Sequence, residues 1–405
     1  MLFESETRIY SRVVRVTVPE KDGKPGIRNV YALGFVSLFT DVSTEMINGY
    51  LPVFLVQELG ATRALLGLIE GIGELANYFF RLVSGYISDR LGRRKALVFA
   101  GYSLSAVSKP LFAFAHSPWD ALVVKALDRT GKGIRTSPRD ALISQSIDEE
   151  SSGKAFGLHR TIDQSGAMIG PLLATLLLPL IGPRNLFLVS FIPAVIALAI
   201  LLAFVVDVKT ESREARILKG ARQVLGNKRL LLVLAAFAVM GLGYYDFSFL
   251  LVRSREVGVA ADLVPLVYLA INLFHTAVGY PSGVLSDRVG KEKVLVGSLV
   301  FFALASIALA RTENLAGFAV AVVLYGVFFG SYETVSRAIL PRFAPPELRG
   351  TVYGVFYIAT GLATLAGMTV VGYLWDTAGR AVAFTYSATL SLIAALLFAY
   401  STRIS

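Results

Sequence analysis

The stretch that decides the fold is residues 84–92, Ser-Gly-Tyr-Ile-Ser-Asp-Arg-Leu-Gly, which recurs as residues 282–290, Ser-Gly-Val-Leu-Ser-Asp-Arg-Val-Gly. The two copies lie 198 positions apart in a chain of 405 residues, and six of their nine positions are identical. The same offset aligns Arg139 with Arg337. A repeat of about half the chain length predicts two copies of one structural unit.

The composition predicts that these units lie in a lipid bilayer. Hydrophobic residues make up 55% of the chain, charged residues only 17%, and the mean hydropathy is +0.62. A soluble domain has roughly a quarter of its residues charged, whereas a membrane span takes roughly 20 apolar residues. The chain has no Cys, which excludes disulfides and cysteine-ligated metal sites. We predict twelve helical spans, at residues 30–56, 64–87, 95–115, 119–146, 153–179, 184–206, 230–254, 262–286, 293–310, 315–340, 349–374 and 379–402.

The basic residues between the spans predict the orientation. Twelve spans leave both termini on one side, where the tail and loops carry 24 Lys and Arg against six on the other side. The positive-inside rule therefore places both termini in the cytoplasm of a multi-pass protein of the cytoplasmic (plasma) membrane. The net charge of +10 then reflects loops facing an anionic leaflet, with no nucleic-acid partner. The predicted organisation is a tail at 1–29, a six-helix bundle at 30–206, a cytoplasmic loop at 207–229 and a second bundle at 230–405.

The repeated loop resembles the signature loop of the major facilitator superfamily of secondary transporters. Its first copy falls between spans 2 and 3 and its weaker copy between spans 8 and 9, as in that family. The resemblance implies an all-α membrane protein with twelve transmembrane helices in two pseudo-symmetric six-helix bundles, a central cavity and a monomer. It also implies that the two loops form a conformational latch that opens when the halves rock. The residues of this latch are Gly85, Asp89, Arg90, Gly92 and Arg93, with Asp287 and Arg288 in the second copy.

Charged residues inside the spans concentrate in the first half, which holds eight of nine bases and seven of nine acids. Each one is costly in lipid unless it is paired or faces water. Span 4 is the most charged, and at 100° per residue Asp128, Lys132, Arg135 and Arg139 share one face of the helix. The sequence leaves open whether this basic face pairs with acids of spans 1, 2 and 5, contacts a substrate, or does both. We predict that Lys132, Arg135 and Arg139 bind substrate.

Span 1 carries two acids, Asp41 and Glu45, one helical turn apart. Neighbouring carboxylates repel each other, and burial disfavours their ionised forms. Such acids can take up a proton on one side of the membrane and release it on the other. We therefore predict them as proton-coupling residues, with a proton gradient as the energy source and no cofactor or metal. The alternative is that Lys132 or Arg135 neutralises both acids permanently.

Span 5 contains Gly166, Gly170 and Pro171, which resemble the Gly-x-x-x-Gly-Pro motif of drug/proton antiporters in the superfamily. The chain departs from that motif at Ala174-Thr175, where the motif continues with Gly-Gly. Small residues four positions apart also favour close packing of two helices. The motif therefore favours export only mildly.

The second half offers fewer polar residues inside its spans. Asp246 and Glu333 are acids in an apolar setting, and Tyr245 combines an apolar ring with a polar tip. We predict that these three residues contribute to the binding of an organic substrate.

Together these patterns predict a proton-coupled exporter of a small organic solute that works by alternating access, and no enzyme. The chain has no phosphate-binding Gly-x-x-x-x-Gly-Lys-Ser/Thr loop for ATP, and its expected partners are a small-molecule substrate and the lipid bilayer. Three alternatives remain. The basic face of span 4 suits an anionic metabolite, and oxygen ligands at Asp41, Glu45 and Asp163 with His159 suit a metal-cation exporter. A non-transporting membrane sensor or scaffold is the remote third.

Overall fold

The computed structural model describes residues 25–148, 151–208, 226–343 and 348–401, and within these ranges the chain is helical and contains no strand. Residues 1–24 of the predicted tail and residues 209–225 of the predicted central loop lie outside the described residues. The helices are α1 Gly26–Asn48, α2 Arg63–Leu91, α3 Lys95–Ser108, α4 Pro118–Gln145, α5 Ser152–Val189, α6 Phe191–Phe204, α7a Lys228–Gly243, α7b Phe247–Glu256, α8 Val264–Val289, α9 Lys291–Arg311, α10 Leu315–Ile339, α11 Arg349–Ala378 and α12 Arg380–Ser401.

Twelve membrane crossings result, as the sequence predicts. In the described ranges nine helical segments are long and apolar enough to span a bilayer, and one of them, at 152–204, contains two crossings. That segment is broken at Gly182, whose φ of 73° and ψ of 169° are not helical. The nine segments therefore account for ten crossings. The other two crossings are α2 and α4, which carry most of the intramembrane charge. Their charged faces are turned into the protein, so low hydropathy does not prevent them from crossing.

Local signals set several helix ends. Ser117 and Asp120 form a capping box at the start of α4, where the Asp120 carboxylate accepts from the backbone N–H groups of His116 and Ser117. Gly92 ends α2 in the left-handed conformation, with a φ of 61°. The seventh crossing is interrupted between α7a and α7b, where Asp246 caps the second part. Such interruptions are common where a helix borders a cavity in a transporter.

The helices form two bundles whose packing follows one pattern. In the first bundle α1 packs on α5, α2 on α4, and α3 on α4. In the second bundle α7a packs on α11, α8 on α10, and α9 on α10, which are the same pairs shifted by six helices. Between the bundles, α2 packs on α11 and α5 on α8, which are again related by that shift. The repeat found in the sequence is therefore a repeat of helix packing.

The two bundles approach most closely on one side of the membrane. We call the side with Gly26 and Ser401 the terminal side and the other the distal side. On the distal side Gly67 lies against the backbone oxygen of Met368, and Gly372 against that of Arg63, where no side chain would fit. On the terminal side, a Cβ added at Gly157 or Gly350 would meet no atom within 4 Å.

A distal clamp of charged residues joins the bundles. Arg63 Nη2 lies 2.9 Å from Glu256 Oε1, and its guanidinium lies over the ring of Trp375 at 5.4 Å. The carboxylate of Asp376 accepts hydrogen bonds from the backbone N–H groups of Arg63 and Ala64, at 3.1 and 2.8 Å. An acid of the second bundle thereby caps α2 of the first, where the helix dipole favours negative charge.

Candidate functional site

The charged residues of the first bundle converge on its inner face, and part of them forms fixed ion pairs. Lys125 Nζ lies 2.8 Å from Glu70 Oε2, with only 2% of each side chain exposed. One turn further along α4, Arg129 lies 3.8 Å from Glu74 of α2. These two bases of α4 are therefore structural partners of the acids of α2.

The bases at the terminal end of α4 are also paired. Arg139 binds Asp140 at 2.9 Å, and Arg81 of α2 approaches the same carboxylate at 3.7 Å. Arg139 also donates to Ser37 Oγ of α1 at 3.2 Å, and that hydroxyl contacts His159 Nε2 of α5 at 3.1 Å. Arg139, predicted to bind substrate, thus lies in a network that ties α1, α4 and α5 together.

Lys132 and Arg135 differ from their neighbours because neither has an ion-pair partner within the described part of the chain. Lys132 is partly exposed, and its nearest charged groups include Arg129, Glu74 and Asp41. Arg135 is buried with its guanidinium 4.4 Å from the ring centre of Tyr102. Among the described residues, no atom accepts a hydrogen bond from its Nε or Nη1. These two cations remain available to carboxylates or to a ligand.

Asp41 lies close to an acid of another helix. The acids near it are Asp163, on α5, and Glu45, on its own helix. Two carboxylates that lie close together repel each other, and a proton bound by one of them removes that repulsion. Lys132 and Arg135 lie near Asp41, whereas Arg139, His159 and Arg160 lie near Asp163. The arrangement can hold one proton, or release it when these bases neutralise the carboxylates.

Glu45 has a partner in the other bundle. The hydroxyl of Tyr268, on α8, donates a short hydrogen bond to its carboxylate. Asn48 donates to the same oxygen at 3.3 Å. Next to this acid, Lys109 reaches from the end of α3 and donates to Thr44 Oγ1 at 3.1 Å. The two acids of span 1 are therefore near each other but have separate partners.

The glycines of the antiporter-like motif face these two acids across the α1–α5 contact. A Cβ at Gly166 would lie 2.4 Å from the Leu38 backbone oxygen and 3.1 Å from Asp41 Cβ. A Cβ at Gly170 would lie 2.7 Å from Glu45 Cβ. Pro171 is buried in the same helix. The small residues allow α5 to approach α1 at the positions of the acids, which is the packing that their spacing indicates.

The three residues predicted in the second half occupy different environments. Asp246 accepts from the Ser248 backbone N–H at 3.0 Å, so its carboxylate acts as the helix cap of α7b. Tyr245 is fully buried among aromatic rings of its own bundle and shares a hydrogen bond with Ser306 Oγ at 2.9 Å. Neither side chain presents a free surface to a ligand in this conformation, because Ser248 of the same helix binds Asp246 and Ser306 of α9 binds Tyr245.

Glu333 lies at the centre of an ion-pair cluster. It pairs with Arg337 at 2.9 Å, as the one-turn spacing indicates, and with His275 Nε2 of α8 at 2.8 Å. Arg160 of the first bundle approaches it at 3.7 Å. Glu333 therefore connects the bundles on the terminal side of the site.

The site is accessible from the terminal side. The exposed fraction of the side chain is 53% for Arg160 and 24% for Glu333 but 2% for Lys125, which lies deeper. Between these levels Tyr78 and Tyr357 stack across the bundle interface with ring centres 5.2 Å apart. Within the described ranges, no group of three or more His, Asp or Glu residues is arranged to hold a metal ion.

The first repeated loop holds its own bundle together through a residue other than those predicted. Arg94, which is buried, lies 3.3 Å from Asp89 and donates a short hydrogen bond to Gln145 at the end of α4. Its backbone N–H donates to Asp207, beyond α6, at 3.1 Å. Arg90 and Arg93 are exposed. The basic residue that connects the helices is therefore Arg94, because the turn at Gly92 directs it inward.

The second repeated loop has the same turn as the first, but its charged residues form different ion pairs. Gly290 has a φ of 103°, and Asp287 pairs with Lys291 at 2.8 Å on the surface. Arg288 is exposed, and Glu292 pairs with Arg342 at 2.9 Å. Gly85 and Gly283 lie at corresponding contacts, against Ser137 and Thr334. Those contacts let α2 approach α4 and α8 approach α10.

Replacing Arg94 by alanine is expected to lower the thermal midpoint of the purified protein by several degrees. The substitution leaves Asp89 and Gln145 without their shared donor, and hydrogen bonds to charged groups contribute about 2 kcal/mol each. Arg93→Ala is the matched control, because the neighbouring arginine is exposed and should leave the midpoint within about one degree. An equal loss in both variants would contradict the role of Arg94.

Sequence reasoning missed Tyr268, Arg94 and the position of Lys109. The sequence shows Lys109 as a base within a span, but its position on the helix does not indicate which residue it contacts. Tyr268 carries no signal, because a tyrosine in an apolar helix is ordinary.

The fold and the polar site define a membrane transporter, and the comparisons give its family. The chain belongs to the Major Facilitator Superfamily, whose sequence profile matches residues 33–271 and 247–404. An uncharacterized MFS-type transporter of Methanocaldococcus jannaschii is 30% identical over 381 residues, covering 92% of this chain and 94% of that protein. A multidrug resistance protein of Proteus mirabilis is 27% identical over 286 residues, covering 67% and 70%.

Solved structures share the fold at low sequence identity. A mutant of the nucleoside transporter NupG has a TM-score of 0.79 and 13% identity, covering 92% of this chain and 99% of that chain. A bacterial homologue of the lysosomal transporter Spinster, solved in an inward-facing and occupied conformation, has a TM-score of 0.74 and 15% identity, covering 93% and 96%. At these identities the likeness supports the twelve-helix fold alone.

Proposed function

We propose that this transporter exports a small organic solute in exchange for protons. The observation that carries the proposal is that Asp41 and Asp163 lie close together in the membrane, near Lys132 and Arg135, neither of which has an ion-pair partner among the described residues. The likeness to multidrug resistance proteins supports export of organic solutes by this chain. The proposal puts the terminal side in the cytoplasm, following the distribution of Lys and Arg.

The cycle follows from competition between protons and solute at the acids of α1. In the conformation open to the cytoplasm, a solute entering beside Tyr78 and Tyr357 displaces the protons held at Asp41 and Glu45. The loaded bundles then rock, opening the distal side by separating Arg63 from Glu256. Protons from outside rebind the acids and displace the solute. A favourable solute is cationic or neutral, since it must leave Lys132 and Arg135 to the ionised carboxylates.

A second candidate is transport of an organic anion. Two absences among the described residues favour it: Lys132 has no ion pair, and Nε and Nη1 of Arg135 have no hydrogen-bond acceptor. A carboxylate substrate could bridge them as a charge-assisted clamp. The two candidates differ in whether binding of the solute releases protons. A cation displaces protons from the acids, and an anion does not.

Proton release measures this difference directly. Protein in weakly buffered detergent solution is mixed with tetraphenylphosphonium, a lipophilic cation, or with benzoate, and a pH indicator is followed. Release on adding the cation supports proton-exchanged export. Binding of benzoate without release, abolished by Arg135→Ala, would assign the site to anions.

Asp41→Asn and Glu45→Gln are each expected to uncouple transport from the pH gradient. Each variant removes a titratable group while keeping its size, so tetraphenylphosphonium should still exchange across proteoliposomes but no longer accumulate against a gradient. Asp262→Asn, in the distal loop before α8, is the control and should accumulate the cation as the wild type does. Unchanged gradient dependence in both acid variants would exclude Asp41 and Glu45 as proton carriers.

A further inference from the structure

Tyr268 makes a contact between the bundles that ends on an ionisable group. Its hydroxyl donates to Glu45 of α1, and one turn further along α8 Asn272 donates to the backbone oxygen of Ala167 on α5 at 3.3 Å. Tyr268 is buried and packs on Phe247 with ring centres 4.4 Å apart. Nearby, Pro265 of α8 lies against Gly49 at the end of α1. The contact therefore lies within the interface that must separate for the distal side to open.

The strength of this contact depends on the charge of Glu45. A hydroxyl that donates to a carboxylate makes a hydrogen bond about twice as strong as one between neutral groups. Separating the bundles breaks the bond and leaves the carboxylate without this donor. Once Glu45 carries a proton, the bond becomes a weaker neutral one, and the bundles separate at lower cost.

We propose that Tyr268 is a positioning residue that locks the empty, deprotonated transporter in the conformation open to the terminal side, and that proton binding to Glu45 releases it. The inference rests on the proposed role of Glu45 as a proton carrier. An exchanger needs such a lock, because reorientation without solute or proton would let the gradient dissipate. The lock acts on the unloaded protein alone, since a proton or a cationic solute at Glu45 removes the charge that strengthens it.

The groups around Glu45 determine whether its charge can change. The α5 helix presents Gly170 to it, which adds no charge. On its own helix, Glu45 has Asp41 as a charged neighbour. The charged and titratable groups that face it from other helices are Lys109 from α3, Arg129 and Lys132 from α4, and Tyr268 from α8. Arg129 is engaged with Glu74. The ionised form of Glu45 is thus stabilised by nearby cations and by the hydroxyl of Tyr268, and the neutral form keeps only a weaker hydrogen bond to that hydroxyl.

The distance between two spin labels measures how far the terminal side is open, and the measurement needs no substrate. The chain has no native Cys, so cysteines introduced at the exposed positions Lys154 and Val289, at the terminal-side ends of α5 and α8, are labelled specifically. Opening of the distal side closes the terminal side and shortens the distance between the labels. Electron–electron double resonance is recorded on the full chain without solute at pH about 4 and about 8, on either side of the ordinary pKa of a glutamate carboxyl group, about 4.3.

The wild type is expected to show the long distance at the higher pH and a growing short-distance population at the lower pH. Tyr268→Phe should raise the short-distance population at the higher pH about tenfold relative to the long one, the effect of losing one hydrogen bond to a charged group. Tyr245→Phe is the matched control, because it deletes an equally buried hydroxyl whose partner, Ser306, lies in the same bundle. It should behave as the wild type does.

The outcomes separate this inference from the proposed function. A wild type whose distances respond to pH, with Tyr268→Phe responding identically, would overturn the lock and leave proton coupling standing. A wild type whose distances ignore pH would overturn proton coupling and the lock together. Glu45→Gln gives a second test that keeps the tyrosine: it should populate the short distance at both pH values, and a long distance at both would contradict the proposal.

Discussion

Lys125→Ala is expected to produce the largest loss of stability of any single substitution on the inner face of the first bundle. Its ammonium group lies 2.8 Å from Glu70, and both side chains are 2% exposed. Removing the lysine leaves a buried carboxylate without its counter-ion near a second acid, Asp246. Breaking a buried pair from one side costs about 3–5 kcal/mol, so the thermal midpoint in detergent should fall steeply.

The control for Lys125 uses a pair on the surface. Lys291→Ala removes the partner of Asp287, which is 72% exposed, and exposed pairs contribute about 0–1 kcal/mol. The double variant Lys125→Met with Glu70→Gln should recover most of the lost stability, because no unpaired charge remains. A Lys125→Ala midpoint as high as that of Lys291→Ala would mean that water or another base neutralises Glu70.

Gly166→Ala is the second large effect, and it acts on the geometry of the acids. The added Cβ would lie 2.4 Å from the Leu38 backbone oxygen, which cannot turn away as a side chain can. Relief requires α5 to move off α1, and overpacking of this kind costs about 1–3 kcal/mol. The movement also separates Asp163 from Asp41. We therefore expect a lower thermal midpoint and less proton release on addition of tetraphenylphosphonium.

Gly157→Ala on the same helix is the control for that substitution. Its Cβ would meet no atom within 4 Å, and alanine favours a helix over glycine by about 1 kcal/mol. This variant should be as stable as the wild type or more so, with proton release unchanged. If both variants behaved alike, the α1–α5 contact would not set the spacing of the carboxyl pair.

The charged residues of the first bundle are paired differently near its distal end and near Asp41. At the distal level Lys125 and Glu70 neutralise each other, and the cost of burying them is offset within the pair. Near Asp41, Lys132 and Arg135 have no ion-pair partner among the described residues, and in the proposed cycle they neutralise the acids when these lose their protons. The same helix α4 thus supplies the buried ion pair and the cations that the proposed cycle uses.

The sequence predicted the fold through local properties. Hydropathy located the crossings, and the repeat of residues 84–92 located the second unit. Helix periodicity placed Lys132 and Arg135 on one face of α4 and Asp41 near Glu45 on α1. The one-turn pair of Glu333 and Arg337 was also predictable, since both partners lie on one helix.

By itself, then, the sequence determined the twelve helices, the two halves, the family and the set of charges placed in the membrane, because each of these depends on neighbours along the chain. The tertiary structure alone decided which charges pair. Glu70 meets Lys125 across 55 positions, and Tyr268 meets Glu45 across 223. Periodicity fixes the direction of a side chain relative to its own helix, but the helix that it faces depends on how the bundles pack. The inward direction of Arg94, and the lack of an ion-pair partner for Lys132 and Arg135 among the described residues, follow from that packing.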